Sequence, residues 1–65
     1  MKLNLARLQR VRKRKNFTQE DVAKALGFKS RSAYSKRENG IATLGADELA
    51  VIAELFGYDM DYFFD

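Results

Sequence analysis

The sequence predicts an all-α fold of five short helices, and three observations predict it. Helix-stop residues recur at Asn16, Gly27, Gly40 and Gly57 and divide the chain into short segments. Apolar residues inside those segments repeat at three- and four-residue spacing, the period of one helix face. No segment reads as a strand, and there is no proline, low-complexity linker or internal repeat. The 65 residues make one domain, 1–65. A chain this short buries only about 60% of its unfolded surface, so every helix must contribute to the core.

The first helix is expected over 4–15. Asn4 serves as its N-cap, Leu3 and Leu8 staple across that cap, and Leu5, Leu8 and Val11 form the inward stripe. Lys13, Arg14 and Lys15 fall in the last turn, where cations suit the negative end of the helix dipole. Asn16 takes the left-handed stop position. The second helix, 18–26, carries the strongest local signal, "FTQEDVAKALG". Thr18 caps, Asp21 answers three residues later as a short version of the capping box, and Phe17 is placed to staple onto Val22. Val22, Ala23 and Leu26 face inward.

The third helix, 30–38, has Ser30 as its cap. At about 100° per residue, Arg31, Ser32, Ser35 and Lys36 share one arc, and Ala33, Tyr34 and Arg37 the opposite one. This helix offers little to a core and much positive charge to a partner. The fourth, 45–56, turns Ala46, Leu49, Ile52, Ala53 and Phe56 inward and leaves Val51 and Leu55 together on its far side. A last helix, 59–64, starts at Asp59 with Tyr58 and Phe63 as its staple.

Composition removes several function classes. With no Cys and no His, a disulfide framework, a zinc site, a thiol nucleophile and a histidine base are all excluded. No paired acids converge on an evident cleft, so the chain is expected to be no enzyme and to need no metal or other cofactor. No run of about 18 apolar residues is available to span a bilayer, and no targeting signal is present, so the cytoplasm is the default compartment. The first helix lacks the broad aromatic face of a membrane-surface helix.

The net charge of +3 conceals a strong asymmetry. All 12 Lys and Arg lie between Lys2 and Arg37, against three acids through Glu38, a net +9. From Asn39 to Asp65 there are six acids and no base, a net −6. A field polarised in this way draws a polyanion to one end of the molecule.

Two helices joined by a short glycine-containing turn, the second presenting polar side chains, make a helix-turn-helix pattern. Arginine can bond guanine in bidentate fashion, and serine can donate or accept at several bases. The stretch "FTQEDVAKALGF…SRSAYSKRENG", continued by "LGADELAVIAELFGYDMDYFF", resembles the phage-repressor and Cro type of helix-turn-helix, the XRE family. The resemblance runs from about Leu3 to Phe64. It implies a lambda-repressor-like DNA-binding domain with the helix-turn-helix at helices 2 and 3, acting as a repressor in a bacterial or phage-infected cell, on the nucleoid.

Carried over position by position, the resemblance makes Arg31, Ser32, Ser35 and Lys36 the base-reading residues. It makes Gln19 and Asn39 phosphate contacts, and Arg12 with Glu38 a buried ion pair between the first and third helices. Three departures follow. The spacing from Gly27 to Glu38 is one residue longer than the family's, which falls in the turn at Phe28–Lys29 and offers Lys29 as a further phosphate contact. Arg37 stands at an aliphatic core position, where its stem packs and its head snorkels to solvent or a phosphate. The loop "IATL" lacks the family's basic and proline residues, and the basic first helix compensates.

Tyr34 is expected to pack in the core, and the aromatic cluster from Tyr58 to Phe64 to lid it. That cluster is richer than a lid requires, so Val51, Leu55, Tyr58, Tyr62 and Phe64 form a candidate contact for a symmetric homodimer, which would bind an inverted-repeat operator in double-stranded DNA. The alternative is a protein-interaction module of the same fold, antitoxin-like or bridging-factor-like, that does not read DNA. No small-molecule substrate is implied.

Overall fold

A computed structural model describes residues 2–65. Helix α1 is Leu5–Arg14, α2 Gln19–Ala25, α3 Arg31–Glu38 and α4 Ala46–Phe56, followed by a 3-10 turn at Met60–Phe63. The expected fifth helix is therefore only this turn. Six residues cannot offset the cost of helix nucleation, and here the chain bends instead to place Phe63 under α4. Asp59 begins the turn without a capping bond from its side chain.

The helix ends follow local chemistry. Asn4 Oδ1 accepts from Arg7 N at 2.9 Å. Thr18 and Asp21 close a full capping box, with Asp21 N donating to Thr18 Oγ1 at 3.0 Å and Thr18 N to Asp21 Oδ2 at 2.9 Å. Asn16 takes a φ of 65°, the left-handed stop that an amide side chain tolerates. Gly57 ends α4 at φ 81°, where a Cβ would be strained.

One core joins the elements: Leu8 and Val11 from α1, Val22 and Ala23 from α2, Tyr34 from α3, Leu49, Ile52, Ala53 and Phe56 from α4, and Phe63. Leu5 and Leu26 are half-buried at its edge, and Ala46, expected inward, is exposed in the first turn of α4. Phe17 stacks on Phe56 with ring centroids 5.5 Å apart, tying the α1–α2 corner to α4.

The two ends of the chain are clasped together. Leu3 and Phe64 form an isolated antiparallel bridge, Asn4 N donates to Phe63 O at 2.7 Å, and Asp65 N to Lys2 O at 2.8 Å. Arg7 donates to Tyr62 O at 2.8 Å and pairs with Asp65 at 3.3 Å. Among the described residues there is no strand beyond that bridge, and no helix is long and apolar enough to cross a membrane.

Candidate nucleic-acid interface

The site is built on α2 and α3, which pack closely against each other across the turn at Leu26–Ser30. Gly27 sits at φ 80° and Phe28 N donates back to Ala23 O at 2.9 Å, so the lengthened turn is folded onto α2. Helix α3 is then held by one narrow face. Tyr34 and Glu38 are buried, whereas Arg31, Ser32, Lys36 and Asn39 are exposed and Ser35 is half-buried. The four residues of the predicted arc do lie on the side away from the core.

Beneath that arc lies a buried ion pair. Arg12 donates through Nε to Glu38 Oε2 at 2.9 Å and through Nη2 to Glu38 Oε1 at 3.1 Å. The two side chains are 8% and 0% exposed. Arg12 Nη1 also donates to Phe17 O at 2.8 Å, so one guanidinium fixes α1, the α1–α2 corner and the end of α3. Burial acts to raise the Glu38 pKa, but Arg12, Tyr34 and Gln19 around the carboxylate outweigh it, and the net shift is downward. The Tyr34 phenol is pushed up, first by burial and then by Glu38. Its hydroxyl is buried without a partner of hydrogen-bonding geometry, so Glu38 acts on it by proximity and charge rather than by an aligned bond. Asp21 is held below its ordinary range by the bonds it accepts from Thr18.

Several predicted site residues are engaged with the protein itself. Gln19 Nε2 donates to Glu38 Oε1 at 3.0 Å, and Gln19 Oε1 accepts from Arg31 Nη1 at 2.9 Å. Ser30 takes the extended N-cap conformation, but its hydroxyl meets Ser32 Oγ at 3.0 Å instead of capping the helix. Asn39 Nδ2 donates to Ser35 Oγ at 3.3 Å. Lys29 is exposed on the turn.

Arg37 departs from expectation. Its head does not snorkel outward. Nη1 donates to Ala33 O at 2.8 Å, Nε pairs with Glu48 at 3.1 Å, and the guanidinium lies 4.4 Å from the Phe28 ring centroid. Glu48 in turn accepts from Gly45 N at 2.9 Å, so Arg37 connects the long turn, α3 and the start of α4. Arg37 and Phe28 of the turn thus pack on each other.

The residues of the candidate dimer patch sit in two settings. Val51 and Leu55 line a shallow depression with Ala25 and Glu54. Tyr58 and Tyr62 stack at 4.6 Å, and both take cations from α1 and its end: Arg7 lies over Tyr62, Lys15 over Tyr58, and Arg14 donates to the Tyr58 hydroxyl at 3.4 Å. Phe64 is half-buried in the clasp of the chain ends. Part of the positive charge counted in the sequence is therefore drawn to these rings.

A helix-turn-helix family model matches residues 8–63, which takes in α2, the turn and α3 with most of their support. The chain belongs to the XRE-type helix-turn-helix family. No curated protein and no solved structure matches it. As an XRE-type helix-turn-helix protein it is a DNA-binding regulator whose partner is double-stranded DNA. In this helix-turn-helix protein, sequence reasoning missed the bonds from Gln19 to Arg31 and Glu38. The available signal was positional: Gln19 and Arg31 are the first residues of α2 and α3, whose packing brings them together.

Proposed function

We propose that the chain is a transcriptional repressor that reads an operator through α3 in the major groove. The observation that carries this reading is the outward arc of α3, fixed by the buried Arg12–Glu38 pair on one side and by Tyr34 beneath. Arg31, Ser32, Ser35 and Lys36 read base edges, and Lys29 and Asn39 reach the flanking phosphates. Phosphate contacts fix register and orientation, while base contacts carry sequence information. The six acids from Asp47 to Asp65, with no base among them, are repelled by the duplex and help orient the approach.

On DNA the protein acts as a symmetric dimer on an inverted repeat, in the cytoplasm. The contact uses the depression at Val51 and Leu55, with Tyr58, Tyr62 and Phe64 nearby in sequence. Val51 is 42% and Tyr62 41% exposed, which supports this choice. Two half-sites then lie about one helical turn apart, some 34–36 Å.

Selection from a random duplex library, followed by salt titration on the winner, tests the proposal. An enriched palindrome is expected, with affinity falling by ~10³–10⁵ between 50 and 200 mM salt if about 6–10 phosphates are contacted. No enrichment, together with function retained by Lys36→Glu, would favour a protein-interaction module. Sedimentation as a monomer at high concentration, with and without duplex, would remove the dimer.

A further inference from the structure

Helix α1 carries five cations and no acid, and the chain has no acid before Glu20. Two of the five are engaged: Arg12 is buried against Glu38, and Arg7 pairs with Asp65 and lies over Tyr62. Arg14 makes one long bond, 3.4 Å, to the Tyr58 hydroxyl. Arg10 and Lys13 have no ion pair, hydrogen bond or ring contact from their side chains among the described residues. All of Arg10, Lys13 and Arg14 are exposed. They stand three and four residues apart, where like charges repel. The helix dipole offsets this for Lys13 and Arg14 in the last turn, but Arg10 lies a turn earlier. Ala6, Gln9, Arg10 and Lys13 line a shallow depression on this side of the helix.

This face is turned away from the recognition helix. Arg12 and Glu38 point at each other across the contact of α1 with α3. At about 100° per residue, Arg10 and Arg14 each stand about 160° from Arg12 around α1, and Lys36 about 160° from Glu38 around α3. Arg10 and Arg14 therefore face away from α3, and Lys36 faces away from α1. A duplex lying on α3 leaves them uncovered. The molecule measures 19 Å even along its shortest axis, about twice the screening length of ~8 Å at physiological salt. A second polyanion on the far side is thus screened from the first.

The chemistry of the face selects its occupant. Ala6 is its only apolar residue, whereas a protein partner or a lipid surface needs large apolar or aromatic anchors. Phosphates ask only for cations and N–H donors, which Arg10, Lys13, Arg14 and the Gln9 amide supply. The exposed acids of another copy, Asp47, Glu54, Asp59 and Asp61, are spread along α4 and the turn after it. A duplex instead presents one charge per ~1.7 Å. A chain held on an operator also has other stretches of DNA close by at high local concentration.

We propose that the outer face of α1 is a second, sequence-independent DNA site, so that a chain seated on its operator through α3 holds another duplex segment at Arg10, Lys13 and Arg14. The proposal rests on the reading that α3 takes the operator. The charge of α1 then joins two segments rather than adding to the hold on one.

The test immobilises the enriched inverted-repeat duplex, saturates it with the full chain so that both recognition helices of a dimer are occupied, and adds a labelled duplex of scrambled sequence. The scrambled duplex should be retained, with a log–log salt slope of about −2.7 for three phosphates met. Arg10→Gln/Lys13→Gln, shown to be folded by circular dichroism, should lower retention about 10- to 60-fold at ~0.1 M salt and make the slope shallower by about 1.8. Its affinity for the operator should change less than about 3-fold, since only the screened field is altered. Arg31→Ala/Lys36→Ala should lose the operator yet keep weak binding of the scrambled duplex, which the two glutamine changes then end. No retention by the wild type, or equal retention by the glutamine variant, overturns the proposal. Operator and scrambled duplex weakened by one common factor would place these cations on the operator itself. Retention of further protein in place of duplex would make the face a contact for the acidic half of another copy; either result overturns it. An operator still bound by Arg31→Ala/Lys36→Ala would instead sink the reading of α3.

Discussion

Replacing Glu38 by Gln keeps the shape of the side chain and removes the charge that Arg12 faces. The pair is closed by two bonds of 2.9 and 3.1 Å, with side chains 8% and 0% exposed. In the variant the Arg12 guanidinium keeps its bond to Phe17 O but loses its counter-charge in a place water does not reach. Stranding one partner of a buried pair costs ~3–5 kcal/mol. A chain of 65 residues at ~0.05–0.15 kcal/mol per residue has about 3–10 kcal/mol in total, so the loss takes a large share of it. At about 4–8 °C per kcal/mol, the Tm should fall by at least ~12 °C. Urea melts followed at 222 nm at pH 7 measure the free-energy loss, and thermal melts under the same conditions the fall in Tm. Replacing both partners, Arg12→Met with Glu38→Leu, strands no charge, though it removes the bonds to Phe17 O and from Gln19, and should lose less than Glu38→Gln alone. A Glu38→Gln loss below ~1 kcal/mol, or a double variant whose loss equals the sum of the singles, would refute the claim of a desolvated, coupled pair.

Three further outcomes follow from the same geometry. Glu38 and Asp21 both titrate lower in the folded chain than their ordinary values of 4.5 and 3.8, so the unfolded chain binds more protons in between. Stability is therefore full above those ordinary values and declines as pH falls through the lowered ones. Urea midpoints should be level down to about pH 5 and drop below it, less steeply in Glu38→Gln; a midpoint rising on acidification would contradict this. Tyr34→Phe removes a buried hydroxyl that has no partner, and should change stability by less than about 0.5 kcal/mol or increase it. A loss above ~1.5 kcal/mol would mean that the hydroxyl does bond Glu38. Arg37→Ala removes the cation over Phe28, the bond to Ala33 O and the pair with Glu48, at about 1–2 kcal/mol of stability. Duplex affinity of the folded variant should change little; a uniform fall with a salt slope shallower by ~1 would instead make Arg37 a phosphate contact.

What could be read from the sequence was what is decided within a few residues. The Thr18–Asp21 box, the left-handed stop at Asn16 and the αL glycine at Gly57 are contacts or conformations local to the chain. Helical period alone put Leu49, Ile52, Ala53 and Phe56 on one side of α4, and all four are buried. The same period sorted α3 into an outward arc and an inward Tyr34. What could not be read depends on residues far apart. Arg37 falls at a core position by period, yet its partners Phe28 and Glu48 belong to the turn and to α4. Period also misplaced Ala46, because the first turn of α4 runs past the edge of the core. The six residues from Asp59 to Phe64 show no period, and their conformation is set by packing on Leu3 and Arg7, more than 50 residues away. Ser30 was legible as a cap by position, but its hydroxyl had a nearer partner in Ser32.

The proposed DNA reading requires α3 to present its outer face to a duplex from a fixed platform. An amide and side-chain NMR titration of the labelled chain with the selected duplex tests this directly. The largest shift changes are expected at Arg31, Ser32, Ser35 and Lys36, with smaller ones at Lys29 and Asn39; on a duplex cut down to a single half-site, where no dimer is assembled, Val51 to Glu54 should stay nearly silent. Changes concentrated on α4 or on the outer side of α1, with α3 unmoved, would mean that DNA meets another surface.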